Sequence, residues 1–219
     1  MEPPSGARLR DDLARYYDQD AAGRAGRGLE AERIRRRAQF VSSLQGEGAH
    51  RILEIGLGPG VDAVAFREAG FHIMGVDLSA EHVRLARDAG IEAHVAAAQE
   101  LPFDDDSFDA LWCASVLMHM PDPDLHDALA EFARVLRPGS VAALGMWGGD
   151  GTQGINPDDL IEPPRFFAWR TDDQMRAAIA AVATLEAFDT WSVPAARGRD
   201  FRYQWCIARF GIAEPEPVR

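Results

Sequence analysis

Short apolar runs alternate with amphipathic stretches from position 51 onward, and this alternation sets the expected fold. Runs at 51–55, 72–76, 92–96, 109–113, 140–146, 185–192 and 201–209 have the length and residue types of strands. Helical spacing between them predicts helices over 61–69, 80–89, 124–136 and 172–182. Ser79 is placed to cap the second of these helices. Thr171 with Gln174 has the spacing of a capping box for the last, and Arg137-Pro138-Gly139 is expected to stop the third. Strands and helices in alternation predict an α/β fold, a seven-stranded, mostly parallel sheet with helices on both faces. The last two strands are separated only by Pro194 to Asp200. That is too short for a parallel crossover, so the last strand should run antiparallel as part of a hairpin. Two earlier helical patterns, 8–20 and 28–45, read as an N-terminal helical cap over the mouth of the sheet.

Length and composition fit one domain over 1–219. The chain of 219 residues is 47% hydrophobic, enough to bury a single core without staples. Its formal net charge of −12 argues against nucleic acid, which needs a cationic face. Arg33, Arg35, Arg36 and Arg37 do cluster, but among Glu30, Glu32 and Glu47. Residues 1–45 hold nine Arg against seven Asp and Glu, a net of +2, so the remainder carries −14. The cluster reads as the solvated side of a helix, with a basic docking surface as the alternative. All 23 basic residues are Arg, which excludes a lysine Schiff base or lysine nucleophile. Cys113 and Cys206 each fall in an apolar strand, where a buried thiol is the default, and a reducing cytoplasm fits them. No signal-peptide pattern and no apolar run of about 18 residues is present, so neither export nor a membrane span is expected.

The chemistry concentrates in Arg51-Ile-Leu-Glu-Ile-Gly-Leu-Gly-Pro-Gly60 and Gly75-Val-Asp77. Gly56, Gly58 and Gly60 let the backbone approach a ligand closely, and the following helix directs free N–H groups into the turn. Asp77 at the next strand end can accept two hydrogen bonds from a ribose diol. A dinucleotide fingerprint starting at Gly56 would require glycine at 61, where Val61 stands. Glu54 would also repel a pyrophosphate but suits a ligand bearing an ammonium group.

Together with Val76-Asp77-Leu-Ser79, Leu101-Pro-Phe-Asp-Asp-Asp-Ser-Phe-Asp109, Leu117-Met-His-Met-Pro-Asp122 and Glu131-Phe-Ala-Arg-Val-Leu-Arg-Pro-Gly139, this turn resembles the class I S-adenosylmethionine-dependent methyltransferases. Within them it is similar to the group containing the ubiquinone and menaquinone biosynthesis enzymes. The resemblance is strong over 50–147 and rests on pattern alone elsewhere. It implies a Rossmann-like fold, S-adenosyl-L-methionine as cofactor and S-adenosyl-L-homocysteine as product. It also implies a cofactor-binding core over 49–147, a substrate loop over 148–170, and a C-terminal helix and hairpin over 171–219, behind the cap at 1–48.

Carried onto this chain, the resemblance implies that the glycine turn holds the methionine part, with Glu54 drawing its ammonium group. Asp77 takes the ribose hydroxyls and Leu78 lies on one face of the adenine. Ala98-Gln99 matches the adenine-edge position. Many relatives have Asp where this chain has Ala97, so the bond to the adenine amino group falls to Gln99 or to backbone. Cys113 and Ala114 pass under the methionine chain, and Tyr17 of the cap closes over the cofactor; stapling of the cap is the alternative for the tyrosines.

Methyl transfer is an in-line displacement that needs mainly a nucleophile held on the S–CH₃ axis in a dry pocket. His119 is the candidate general base and acceptor contact, with a packing role as the alternative. Trp147, Phe166 and Trp169 bracket a glycine-rich stretch too long for a plain connector and are expected to line the acceptor pocket. The expected partner is a small molecule, with O- or N-methylation ahead of C-methylation. Two other functions remain open: an NAD-dependent oxidoreductase, and a cofactor-binding regulatory protein without catalysis. No metal site is expected, and the sequence carries no signal for oligomeric state.

Overall fold

The computed structural model describes residues 6–193 and 201–211. Helices α1 (Gly6–Ala25) and α2 (Ala31–Glu47) lead into β1 (Arg51–Ile55), α3 (Val61–Glu68), β2 (His72–Asp77), α4 (Ala80–Asp88), β3 (Glu92–Val95) and β4 (Phe108–Ala114). A 3₁₀ turn, Leu117–His119, precedes α5 (Asp122–Val135) and β5 (Leu136–Gly148). Next come β6 (Gln153–Ile155), β7 (Phe166–Ala168), α6 (Asp172–Ala180), β8 (Ala183–Val193) and β9 (Phe201–Phe210).

Seven strands form one sheet in the order β3-β2-β1-β4-β5-β9-β8. The pairs on the β3 side of β5 are parallel, and β9 runs antiparallel to both β5 and β8. This is the expected sheet, with all seven strands close to their expected positions. The connection between β8 and β9, expected at Pro194 to Asp200, lies outside the described residues.

Alternation along β4 shows how the layers are built. Trp112 points to one face, where it packs with Phe40 and Leu44 of α2 and Phe66 of α3. Leu111 and Cys113 point to the other, with Leu129 and Phe132 of α5 and Met175 and Ile179 of α6. All of these side chains are buried. The 28–45 pattern is therefore not part of a lid as expected: Phe40 and Leu44 make α2 a layer of the core. Helix α1 lies across the mouth, with Gly28 and Glu30 just before α2 and Arg33 in its first turn also on the cavity wall, and is fixed to α4 by Asp18, which accepts from Ser79 Oγ (2.6 Å) and from the Glu81 amide (3.1 Å).

The helix ends follow local chemistry. Ser79 caps α4 by accepting from His82 N (3.1 Å), and Thr171 with Gln174 makes the expected capping box of α6. One boundary differs. Helix α5 ends at Val135 and the chain enters β5 at once, so Arg137-Pro138-Gly139 begins a strand instead of stopping a helix. Leu136 pairs with Phe108 ahead of a register shift, an irregularity that accommodates a proline with no N–H to donate. The 148–170 stretch is also more ordered than a loop. It folds back as the β6–β7 hairpin, and Asp159 beneath it accepts from Asn156 Nδ2 and from the Arg165 backbone and guanidinium. Among the described residues no helix is long and apolar enough to cross a membrane.

Candidate active site

A cavity of about 1290 Å³ opens at the carboxyl ends of β1, β2, β4 and β5 beneath α1. Single-ligand pockets run to roughly 1,000 Å³, so this one has room for two molecules side by side.

At one end stands the glycine turn. Gly56 N and Leu57 N both donate to Val76 O (2.8 and 3.1 Å), which folds the turn against β2. Gly56 has φ +68°, and a Cβ there would run into Val116, so glycine is required on two counts. Asp77 braces the same turn: Oδ2 accepts from Gly58 N and Oδ1 from Ser79 N, both at 2.9 Å. Each carboxylate oxygen keeps a lone pair for a further donor. Asp77 is thus structural as well as available, a double use that the sequence did not reveal.

Glu54 lies just behind the turn, 1% exposed, and its Oε2 has no hydrogen-bond partner. Burial, reinforced by the nearby Asp62 carboxylate, pushes its pKa well above the ordinary carboxylate range. Asp62, at the start of α3, is equally buried but fully bonded. It accepts from Arg33 Nε (2.7 Å), Arg37 Nη1 (2.5 Å) and the Trp112 indole (3.2 Å). The arginine cluster of α2 therefore splits: Arg35 stays on the surface pairing with Glu32, while Arg33 and Arg37 turn inward. Neither residue was singled out from the sequence, because a run of arginines does not reveal which of them meets a buried carboxylate.

The far end of the cavity is aromatic. Phe167, Trp169 and Phe201 stack in series with interplanar angles of 7° and 8°, and Trp147 meets Phe201 and Tyr203 edge-on. Where the two ends meet, Ser115 adopts φ +64°, unusual for a residue with a side chain, and its hydroxyl lies 3.0 Å from that of Tyr203. Gly145 makes this possible: a Cβ on it would be 2.7 Å from the Tyr203 hydroxyl and 2.8 Å from Trp205. Burial raises the Tyr203 pKa to about 12, so the phenol stays protonated. Sequence reading missed this pair, since strand β9 comes beside β5, and Tyr203 within reach of Ser115, only in three dimensions.

Of the residues expected at the site, Gly56, Gly58, Asp77, Leu78, Ala98, Gln99, Ala114, Tyr17, His119, Trp147 and Trp169 line the cavity together. Glu54 and Gly60 lie just behind its wall. Cys113 does not reach it: the side chain is buried in the apolar core and burial raises the thiol's pKa. Phe166 contributes its carbonyl, which is bonded by His119 Nδ1 (2.9 Å), while Phe167 supplies the ring at the wall. Gln99 Nε2 donates to Asp124 Oδ2 (3.0 Å). His119 is 5% exposed, and burial lowers its pKa to about 3. Its Nε2 is 2.9 Å from the Tyr17 hydroxyl.

Residues 52–139 match the family described as "Methyltransferase domain". The chain is 36% identical over 115 residues to Methyltransferase GfsG of Streptomyces halstedii, covering 48% of this chain and 41% of that protein. It is 34% identical over 139 residues to the 27-O-demethylrifamycin SV methyltransferase of Amycolatopsis mediterranei, covering 59% and 48%. The chain thus spans about half the length of these relatives. Among solved structures, the Burkholderia thailandensis 1,6-didemethyltoxoflavin-N1-methyltransferase, with bound 1,6-didemethyltoxoflavin and S-adenosylhomocysteine, superposes with a TM-score of 0.72 at 22% identity. That match covers 96% of this chain and 92% of the other. The sheet order, the glycine turn with its aspartate and the family match agree: over residues 52–139 the chain is similar to the class I, S-adenosylmethionine-dependent methyltransferases.

Proposed function

We propose that the chain transfers the methyl group of S-adenosyl-L-methionine to a small-molecule acceptor, with O- or N-methylation ahead of C-methylation. The observation that carries this reading is the two-ended cavity, polar and glycine-lined at β1–β2 and aromatic at β5–β9. When bound, the cofactor supplies an electrophilic sulfonium methyl.

Glu54 and the turn from Gly56 to Gly60 hold the methionine part, whose ammonium group answers the unpartnered Glu54 oxygen. Asp77 accepts from the ribose hydroxyls. Leu78 and Ala98 flank the adenine, and Gln99, whose amide nitrogen is engaged by Asp124, presents its carbonyl oxygen to the adenine edge. Ala114 passes under the methionine chain. Trp147 and Trp169 seat the acceptor, and their flat faces favour a planar or apolar one. The names of the Amycolatopsis relative and of the solved neighbour point to demethylrifamycin SV and didemethyltoxoflavin, both small molecules, as acceptors.

His119 acts in this reading through Tyr17. The Phe166 carbonyl can only accept, so Nδ1 carries the proton and Nε2 receives the Tyr17 O–H. An acceptor hydroxyl would meet Tyr17 first. With a pKa near 3, His119 is a weak base, so its contribution is to orient Tyr17 while proximity and water exclusion drive the step.

Incubation with methyl-tritiated S-adenosylmethionine and a metabolite extract tests the reading, with calorimetry of S-adenosylhomocysteine and of NAD alongside. Labelled product and homocysteine-cofactor binding without nicotinamide binding are expected. Binding of NAD alone would replace the reading with an oxidoreductase. Cofactor binding with no labelled product would favour a regulatory protein.

A further inference from the structure

Glu54 is the one carboxylate of the polar end for which the protein provides no bond at Oε2. The groups facing it come from four elements. Asp62 of α3, Asp77 of β2, and Arg33 and Arg37 of α2 all act on its charge, and the Cys113 thiol of β4 lies close enough for Glu54 to raise its pKa. Asp62 is bonded by both arginines and by Trp112, and Asp77 by two backbone amides, so each has donors of its own. Two carboxyl groups and two guanidinium groups are already present in equal number. An ionised Glu54 would add a negative charge, 1% exposed, with no counter-ion of its own. His82, the other titratable group nearby, sits 3.4 Å from Asp77, and neither of its ring nitrogens has a hydrogen-bond partner.

We propose that Glu54 is a neutral carboxylic acid in the ligand-free protein and becomes a carboxylate when an ammonium group arrives at the glycine turn, so that cofactor binding expels a proton. The inference rests on the methyltransferase reading above. The step balances: the Glu54 O–H bond breaks, the proton leaves to solvent, and the carboxylate pairs with the incoming –NH₃⁺. The raised pKa of Glu54 agrees with this order of events. Two consequences follow. Affinity for the cofactor should rise about tenfold per pH unit on the acid side of neutrality, because each binding event releases about one proton. Ligands with the nucleoside but no ammonium group should lack that dependence.

The test is calorimetric titration of the intact chain with S-adenosylhomocysteine at about pH 6.5, where an α-amino group (pKa about 8) stays protonated. It is run in two buffers of different ionisation heat. Release of about one proton per molecule bound is expected, with none for methylthioadenosine, which lacks the amino-acid portion. Glu54→Gln should bind S-adenosylhomocysteine without releasing a proton while binding methylthioadenosine as the unmodified chain does. Heats for S-adenosylhomocysteine that do not change with buffer overturn the proposal, as does undiminished proton release by Glu54→Gln. Should that variant not fold, the comparison of the two ligands on the unmodified chain decides. Absence of any S-adenosylhomocysteine binding would remove the methyltransferase reading itself, a result distinct from binding without proton release.

Discussion

The Tyr17 hydroxyl donates to His119 Nε2 across 2.9 Å, joining two residues 102 positions apart in the chain. His119 Nδ1 in turn donates to the Phe166 carbonyl, and Arg165 Nη1 donates to the Tyr17 oxygen at 3.3 Å. The helix over the mouth, the turn after β4 and the β6–β7 hairpin are thus tied at one point. Tyr17→Phe leaves a buried nitrogen unpartnered and should lower stability by about 1–3 kcal/mol, read by chemical denaturation. His119→Asn should reduce turnover while S-adenosylhomocysteine affinity stays within about threefold, a shift of under about 1 kcal/mol. Unchanged turnover would remove His119 from the reaction.

His119 also gives the fold a pH dependence. Its folded pKa of about 3 lies below the ordinary 6.5, so the unfolded chain takes up a proton first as pH falls. The buried neutral ring therefore contributes stability in full above pH 6.5. That contribution is lost between 6.5 and about 3, at up to about 1.4 kcal/mol per pH unit. Thermal melts across that range should show a shallower slope for His119→Asn than for the unmodified chain; identical slopes would contradict the assignment.

In the proposed reading Asp77 both braces the turn and takes the ribose, so its loss should show twice. Asp77→Ala removes acceptors for Gly58 N and Ser79 N, costing about 1–3 kcal/mol of stability, and should weaken S-adenosylhomocysteine binding by more than about tenfold. A melt and a titration on the same sample separate the two. Full affinity in the variant would place the ribose elsewhere.

Gly145→Ala tests the crossing from β9 into the cavity. The added methyl meets the Tyr203 hydroxyl at 2.7 Å and Trp205 at 2.8 Å, and overpacking of this kind costs about 1–3 kcal/mol. The Ser115–Tyr203 contact should be displaced, so acceptor turnover should fall with little change in cofactor affinity.

Trp169→Ala should separate the two ends of the cavity. The ring stacks between Phe167 and Phe201, far along the chain from the glycine turn. Acceptor kcat/KM should drop by about tenfold or more, equal to about 1.4 kcal/mol, while S-adenosylhomocysteine titrates as before. Equal losses for both ligands would mean that Trp169 supports the whole cavity instead of the acceptor alone.

Strand and helix periodicity made the sheet legible, because each buried strand is a short apolar run and each layer helix carries a stripe. The glycine turn and the place of Asp77 beside it were legible because both features are local: positive φ needs glycine, and the carboxylate stands at the end of the next strand, though its bonds to the turn were not. Pairings between distant segments were hidden. Nothing in Ser115 or Tyr203 singly announces their contact, and the inward turn of Arg33 toward Asp62 depends on how α2 rolls on the sheet. Pro138 misled for a related reason. A proline after a helical run usually ends it, but here the backbone turns directly into a bulged strand.

The order of strands across the sheet gives each part of the cavity its own strands. In the proposed reading the groups offered to the nucleoside come mainly from the ends of β1, β2, β3 and β4, whereas the flat wall opposite is built from β5, the hairpin and β9. Under the proposed reading, substitutions in the hairpin and β9 reshape the acceptor wall while the strand ends that face the nucleoside stay as they are.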